Sequence, residues 1–387
     1  MTVVFISNYL TLHQVPFCNK LYETLGEDFL FVATSPMEEE RIAMGWQETK
    51  KRPYEANIHQ VGMQEKIDAA DIVLIGSAEE RLIKSRLRSN KVVIRYSERI
   101  LKQGRWHALS PRAIRNVVTQ HTAYKNAPVY LLCASAYAAG DYHLFGAYRK
   151  KSYKWGYFPE MIPYDPAQIA LNKRNSLPQI LWVGRLLHWK HPELAVMAAS
   201  YLHQKGYSFH MNIIGEGEQE PFLRKLIRQN DLEEYVSVLP FMKPAQVRGY
   251  MEKANIYLFT SDFQEGWGAV LNEAMNSGCA VVASHAVGAA PFLIKDGENG
   301  CLFKSGDLND LCKKVEQLIA NSATVLEIGT SAYTTISKQW NASVAATRLL
   351  EFSKALINAE DLPTYQEGPL SRADFLSNHW HKKRRLF

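Results

Sequence analysis

What this chain lacks narrows its class before any motif is considered. Its five cysteines (Cys18, Cys133, Cys279, Cys301, Cys312) are odd in number, scattered, and never form a C-x-x-C pair. That argues against a disulfide frame or a zinc site and suits reduced thiols in a cytosolic setting. No apolar run approaches the roughly 18 residues that a membrane-spanning helix needs. The start, Met1-Thr2-Val3-Val4-Phe5-Ile6, enters a strand directly, with no basic leader or cleavage site, so no secretory signal is expected. No Asp-x-Asp pair occurs, so the paired carboxylates that usually bridge a divalent ion to a diphosphate are missing, and a metal-independent site is expected. The loop after the first strand has no G-x-G-x-x-G, which disfavours a dinucleotide site there. No internal repeat of 20–50 residues is visible.

What is present describes an ordinary globular protein long enough for two domains. The chain has 387 residues, 47% hydrophobic and 22% charged. Its net charge of +6 is uneven: residues 1–160 hold 22 Lys/Arg against 16 Asp/Glu, and the remainder holds 23 of each. Residues 81–115 carry eleven basic side chains and one acidic, Glu98. Such a cluster is either a solvated face or a contact to an anionic partner, a nucleic acid or the surface of a membrane. Aromatic interleaving is thin (Tyr96, Trp106), so nucleic acid is not expected as a partner.

Short apolar runs alternate with helical segments along the whole chain, which predicts an α/β protein built on mostly parallel, doubly wound sheets. Strands are predicted at Val3 to Ile6, Phe29 to Ala33, Asp71 to Gly76, Lys91 to Tyr96 and Val129 to Cys133, with a basic helix over Glu79 to Arg88. The grammar restarts at Gln179 to Val183 and continues through His210 to Ile214, Tyr235 to Leu239, Ile256 to Phe259, Ala280 to Ala283 and Gly300 to Phe303. Helices follow at Leu308 to Ala320 and Val344 to Leu356. Pro163, Pro166 and Pro178 mark an interdomain linker. The expected division is a first domain over 1–162, a linker over 163–178, a second domain over 179–362, and a segment over 363–387 packing back on the first domain.

Two stretches carry chemistry. In Phe259 to Gly278, a buried strand leads through a loop into a helix with Val270, Leu271, Ala274 and Met275 on one face. That arrangement aims backbone N–H groups at an anion. Glu265 lies in the loop and Glu273 at the edge of the apolar stripe, and carboxylates there suit sugar hydroxyls better than bare phosphate. In the other stretch, Gly184-Arg185-Leu186 follows a strand and Lys190 precedes Pro192 at a helix start. One planar fork and one compact ammonium suit a diphosphate without a metal, although two ordinary surface cations would look the same.

E-G-W-G-x4-E-A-M, together with V-G-R-L-x3-K, resembles the family 4 retaining glycosyltransferases of bacterial capsule, exopolysaccharide and O-antigen assembly. The resemblance spans about Gln179 to Phe303 and is fainter in the first half. It implies two Rossmann-like domains facing a cleft, the GT-B architecture. It also implies a hexose-type donor carried on a nucleotide, UDP more than GDP, as co-substrate with no other cofactor. Arg185, Lys190 and Glu265 would be catalytic. Gly184, Phe241, Gly266, Trp267, Gly268, Ala269 and Glu273 would join them in binding the donor, Glu273 at the ribose and the 266–269 backbone at the sugar. Lys190→Ala would lower turnover by orders of magnitude and leave the fold intact. The acceptor would be a saccharide or lipid-linked oligosaccharide, and the protein cytoplasmic or peripheral at the inner membrane face. The pattern departs from the family in the first domain, where Asn8 to His13 fills a usual Gly-Gly turn and Tyr96-Ser97-Glu98 replaces a usual His. Asn8, His13 and Glu98 are therefore candidate sugar contacts there, with His107 and His121 as other histidines to weigh. A non-catalytic sugar-nucleotide-binding protein and a sugar transferase acting on nucleic acid stand as alternatives.

Overall fold

The computed structural model describes residues 1–43, 45 and 51–381. They form two compact units, one of Met1–Glu160 with Trp340–Trp380 and one of Met161–Gln339 with His381. The first unit holds a seven-stranded sheet: β1 (Val3–Ser7), β2 (Phe29–Ala33), β3 (Glu55–Asn57), β4 (Ile72–Ile75), β5 (Val93–Ser97), β6 (Val129–Cys133) and β7 (Ser152–Lys154), in the order β3-β2-β1-β4-β5-β6-β7. The second holds six strands: β8 (Gln179–Val183), β9 (His210–Ile214), β10 (Val236–Leu239), β11 (Ile256–Phe259), β12 (Ala280–Ser284) and β13 (Cys301–Phe303), ordered β10-β9-β8-β11-β12-β13. Every strand pairing within the two sheets is parallel. The α/β reading of two Rossmann-like doubly wound sheets is what the structure has. Strands such as Val3–Ser7, Ile256–Phe259 and Ala280–Ser284 are buried along their whole length, as helices on both faces of a parallel sheet require.

The boundaries differ from the expectation at two places. The supposed linker over 163–178 contains a helix, Pro166–Asn172, that belongs to the second unit. Asp165 caps it by accepting from the Ala167 amide at 2.7 Å, and Ile169 is buried. Pro166 starts the helix, as proline does at a first helical position. Lys173, just past it, is buried and donates to the carbonyls of Met251 (2.8 Å) and Ala254 (2.6 Å). The second difference is that the return to the first unit begins at Trp340, so the helix Ala342–Asn358 packs there against the helix Val15–Leu25. Beyond it, Leu370 to Ala373 runs along β7: Lys154 donates to Ser371 O at 2.7 Å, Leu370 to Lys154 O at 2.8 Å and Ala373 to Ser152 O at 3.1 Å. That covers the free edge of the last strand, which would otherwise expose a row of unpaired backbone groups.

Local differences follow the same pattern. The stretch expected as one helix over Glu79 to Arg88 is a 3-10 turn, Glu80–Ile83, followed by a short helix, Lys84–Arg88. The basic run 81–115 is not uniformly solvated, because Arg86, Arg95 and Arg99 are buried. Arg86 donates to the carbonyls of Ile67, Ala70, Asp71 and Val92, Arg95 pairs with Glu80, and Arg99 pairs with Asp141. On the helix Pro192–Gln204, Met197 is 39% exposed, while Ala195, Val196 and Ala199 are buried. A helix the sequence pattern did not suggest, Ser322–Lys338, packs on the helix Val270–Asn276 and on β12. Its Ser and Thr content gives weak helix propensity, so the packing stabilises it. The contact is close at Gly329, where an added Cβ would stand 2.2 Å from the Gly278 carbonyl oxygen. Gly329→Ala is therefore expected to destabilise the second unit by about 1–3 kcal/mol, although alanine is the better helix former. Denaturant unfolding checks this, and an unchanged midpoint would refute the close approach.

Candidate functional site

Open parallel sheets bind ligands beyond the carboxyl ends of strands at the point where strand order reverses. In the second unit that point lies between β8 and β11, which are neighbours in the sheet. The Arg185–Lys190 loop leaves β8 and the Thr260–Gly268 loop leaves β11, so the two sequence stretches singled out above meet at the switch point.

Their backbones are tied before any ligand is considered. Thr260 Oγ1 accepts from Trp182 Nε1 at 2.9 Å and donates to the Lys190 carbonyl at 2.7 Å, while the Asp262 amide donates to Trp189 O at 3.0 Å. Across this frame the Lys190 ammonium pairs with Glu265 Oε2, and Ser261 Oγ donates to the same oxygen at 2.9 Å. Both charged side chains are largely buried, at 14% and 11% exposure. The Lys190 ammonium also lies 4.4 Å from the centre of the Trp189 ring, a cation–π contact. Beside the pair, His191 adopts a left-handed backbone (φ 49°) at the start of the helix Pro192–Gln204. Its Nδ1 is 2.8 Å from Glu193 Oε1 and its Nε2 is 3.4 Å from Asp262 Oδ2. The hydrogen bonds to Asp262 and Glu193 push the imidazole up to about 9, so it is a cation at neutral pH.

The remaining predicted donor-side residues divide into exposed contacts and internal supports. Arg185 is exposed, and Phe241 stands 41% exposed after β10. The Phe241 amide donates to Glu216 Oε1 at 3.1 Å. Gly184 closes β8 by donating to Ile214 O at 3.1 Å. Gly215 and Gly217 let the loop after β9 lie against the loop after β8: an added Cβ would fall 1.9 Å from Gly184 O and 2.5 Å from Leu186 O. Trp267 is fully buried, with its indole donating to Asn272 Oδ1 at 2.9 Å. Its ring thus supports the loop from inside, and Gly266, also buried, and the half-buried Gly268 and Ala269 complete the turn. Glu273 is half-buried on the helix Val270–Asn276. Burial raises its carboxyl above the usual range, partly offset by Arg248. Its carboxylate makes no hydrogen bond among the described residues.

In the first unit the switch point lies between β1 and β4. Asn8 follows β1, and its carbonyl accepts from the Thr34 (3.0 Å) and Ser35 (2.8 Å) amides, so it braces the neighbouring loop. His13 is half-buried, and burial with the nearby Arg41 lowers it to about 4, leaving a neutral ring at pH 7. Its centroid is 6.1 Å from that of Tyr157. The Tyr157 hydroxyl is held protonated by burial and then by the Glu98 charge, and the Tyr96 ring centroid is 5.8 Å from that of Tyr157. His13 and Glu98 are thus brought together through Tyr157, which the sequence reading did not single out. Glu98 also pairs with Lys102. His121 is an internal residue, 2.6 Å from the Tyr148 hydroxyl and lowered to about 3 by burial. The His107 side chain lies outside the described residues. Ser261, Asp262, His191 and Tyr157 have no sequence signature, because their partners lie far away along the chain or depend on a loop's path. Among the described residues no group of three or more His, Cys, Asp or Glu is placed to hold a metal ion.

Fold and site define a class: two parallel Rossmann-like units of the GT-B kind, the second with a cation–carboxylate pair at its switch point. Residues 166–335 match the family described as Glycosyl transferases group 1. Among curated relatives, the Amylovoran biosynthesis glycosyltransferase AmsK of Erwinia amylovora is 31% identical over 200 residues, covering 50% of this chain and 49% of that protein. The Putative colanic acid biosynthesis glycosyltransferase WcaL of Salmonella typhimurium is 29% identical over 151 residues, covering 38% of this chain and 37% of that protein. The chain thus spans half or less of the length of these relatives. Among solved structures, Anabaena Alr3699/HepE in complex with UDP superposes with a TM-score of 0.67 at 16% identity, covering 92% of this chain and all of that one. It shares the fold.

Because the pair is buried, removing Lys190 strands the Glu265 carboxylate, so a cost in stability is expected. Either Lys190→Ala or Glu265→Ala alone should cost about 3 kcal/mol, and the double variant should cost less than the sum of the singles. Additive costs in chemical denaturation would show that the pair is not formed. His191 gives a second check. Its folded-state pKa of about 9 lies above the ordinary 6.5, so its contribution is fully present below about pH 6.5 and is lost as pH rises through about 9. The stability gap between wild type and His191→Asn should therefore shrink from pH 6 to pH 10. A gap independent of pH would remove the imidazolium from the loop contact.

Proposed function

We propose that this chain is a retaining glycosyltransferase. It moves a hexose-type sugar from a nucleotide-sugar donor, UDP-linked rather than GDP-linked, to a saccharide or lipid-linked acceptor in cell-surface polysaccharide synthesis. The observation that carries this reading is the arrangement at the β8/β11 switch point. There Lys190 and Glu265 neutralise each other, while Glu273, eight residues on, keeps a half-buried carboxylate without a hydrogen-bond donor. A carboxylate of that kind is completed by hydroxyl donors, and a ribose supplies two neighbouring ones. The match of residues 166–335 to group 1 glycosyl transferases, the polysaccharide-assembly relatives and the UDP-bound structural neighbour support the same reading.

In this mechanism the donor diphosphate takes over the Lys190 ammonium and is met by Arg185 from the exposed side. Glu265, released from Lys190, accepts hydroxyls of the donor sugar, held also by the Gly266–Ala269 backbone. The base lies along the Phe241 segment. The acceptor hydroxyl attacks the anomeric carbon from the face the phosphate leaves, and its proton passes to the departing phosphate oxygen. The products are the retained glycoside and a nucleoside diphosphate whose charge Arg185 and Lys190 stabilise. Asn8, His13 and Glu98 are the first unit's candidates for a sugar or acceptor contact. No metal is assigned a role, since the two cations supply the positive charge.

Thermal stabilisation against UDP, GDP, ADP, CMP and dTDP sugars, with and without EDTA, tests this. A ligand at about 100 times its dissociation constant stabilises by about 2.7 kcal/mol. A shift with UDP sugars that EDTA leaves unchanged is expected, whereas no shift with any donor would overturn the reading. Glu273→Gln should weaken nucleotide binding by roughly tenfold, the worth of a hydrogen bond to a charged group. Unchanged affinity would remove Glu273 from the ribose. Transfer with inversion of the anomeric centre would refute retention.

A further inference from the structure

We propose that Arg248 is a positioning residue of the donor site: it fixes the helix that carries Glu273 and supplies the positive charge near that carboxylate. This role rests on the reading of Glu273 as the ribose acceptor, and it names what keeps that acceptor ionised. Arg248 lies on the helix Pro244–Lys253, which packs against the helix Val270–Asn276. Its Nη1 donates to the Glu273 carbonyl at 3.1 Å, to Asn276 Oδ1 at 3.1 Å and to Ser277 Oγ at 3.3 Å. Ser277 Oγ donates to the same Glu273 carbonyl at 2.9 Å. Asn276 exchanges two hydrogen bonds with the Ile162 backbone, at 2.9 and 3.0 Å. One half-buried guanidinium thus gathers the last turn of the helix, and the three acceptors it meets there are neutral. A cation in that place also offsets the negative end of the helix, a purely structural service that the Glu273 side chain does not need.

Glu273 begins that turn, and its half-buried carboxylate makes no hydrogen bond among the described residues. A carboxylate taken out of water without a donor holds its proton more tightly. Burial raises the Glu273 carboxyl, and the Arg248 charge acts against that rise. The other titratable groups around the helix do not take this part. β12 brings no charged side chain, and the Tyr257 hydroxyl on β11 is held protonated by burial and then by the Glu273 charge. The helix Ser322–Lys338 brings Glu327 and Lys338, both exposed, and Tyr333, whose hydroxyl accepts from the Tyr164 amide at 2.9 Å. On the helix of Arg248 itself, Lys253 is exposed, Tyr250 is half-buried, and Glu252 accepts from the Tyr164 hydroxyl at 2.5 Å. In the loop before the helix, Glu265 is paired with Lys190. A protonated carboxyl accepts hydroxyls poorly, so Arg248 sets how far the pH can fall before the ribose contact is lost.

The affinity of the full chain for UDP-glucose, followed from about pH 6 to about pH 9, tests this role. Wild-type affinity should change little across the range. Glu273→Gln, which has no charge to lose, should bind about tenfold more weakly at every pH. Arg248→Gln keeps an amide donor for Asn276 and Ser277 but lacks the charge. It should stay within about threefold of wild type at the alkaline end and fall to the Glu273→Gln level at the acid end. Arg248→Lys keeps the charge and should keep the wild-type profile. The 13C carboxyl resonance of Glu273, assigned by its loss in Glu273→Gln, reads the same ionisation without nucleotide. Its midpoint should lie below pH 7 in wild type and move up by about one pH unit or more in Arg248→Gln. A wild-type carboxyl still protonated at pH 7 would overturn the role even if Arg248→Gln did not fold. An unmoved midpoint in Arg248→Gln, or an equal loss of affinity in both Arg248 variants at every pH, would also overturn it, the latter in favour of a structural clamp. Unchanged affinity in Glu273→Gln would remove the ribose reading and this role with it, whereas failure at Arg248 alone leaves that reading standing.

Discussion

The buried pairing of Lys190 with Glu265 is the constraint on which the second unit's site depends. Taking two charges out of water costs more than a surface ion pair returns, and such pairs are often replaceable by apolar side chains without loss of stability. The surrounding structure is arranged to keep this one. Thr260 bridges the Trp182 indole and the Lys190 carbonyl, Ser261 donates to Glu265, and His191 spans Glu193 and Asp262. Thr260 to the Lys190 carbonyl and His191 to Asp262 link a group after β8 to a group after β11, so the loop positions follow from strand order in the sheet. The result is a cation and a carboxylate held together at the carboxyl end of the sheet, where its strand order reverses.

The first unit uses its charge differently. Its excess of basic residues looks like one feature in the sequence, and the fold divides it. Arg86 fills the end of a helix–strand corner with hydrogen bonds to carbonyls, and Arg95 and Arg99 are internal ion pairs. The long guanidinium stem and its five donors suit such interior work as well as they suit phosphate. Arg112 and Arg115 stay outside, exposed on the helix Pro111–Gln120. Spacing along the chain does not separate these two uses.

Much of the architecture was legible because parallel strands covered on both faces must be continuously apolar, and runs such as Val129–Cys133 or Ala280–Ser284 have few other readings. The helix Ser322–Lys338 was not legible, since its Ser and Thr residues favour turns and caps locally and its stability comes from packing. The same holds for Pro166–Asn172, where prolines that suggested a linker instead begin a helix. The return at Trp340 was missed because an amphipathic helix shows that it buries a face without showing which neighbour covers it.

At the site, the sequence by itself determined which chemistry is available: Arg185, Lys190, Glu265 and Glu273 placed at strand ends and loop glycines, with no paired aspartates. Those properties reside in residue type and short-range spacing. Tertiary structure decided which charges meet. It buried Lys190 against Glu265, left Glu273 without a donor among the described residues, turned the Trp267 ring inward, and joined His13 to Glu98 through Tyr157. Lys190 and Glu265 are 75 positions apart. A contact across that distance follows from the order of strands in the sheet, which no local pattern of residues encodes.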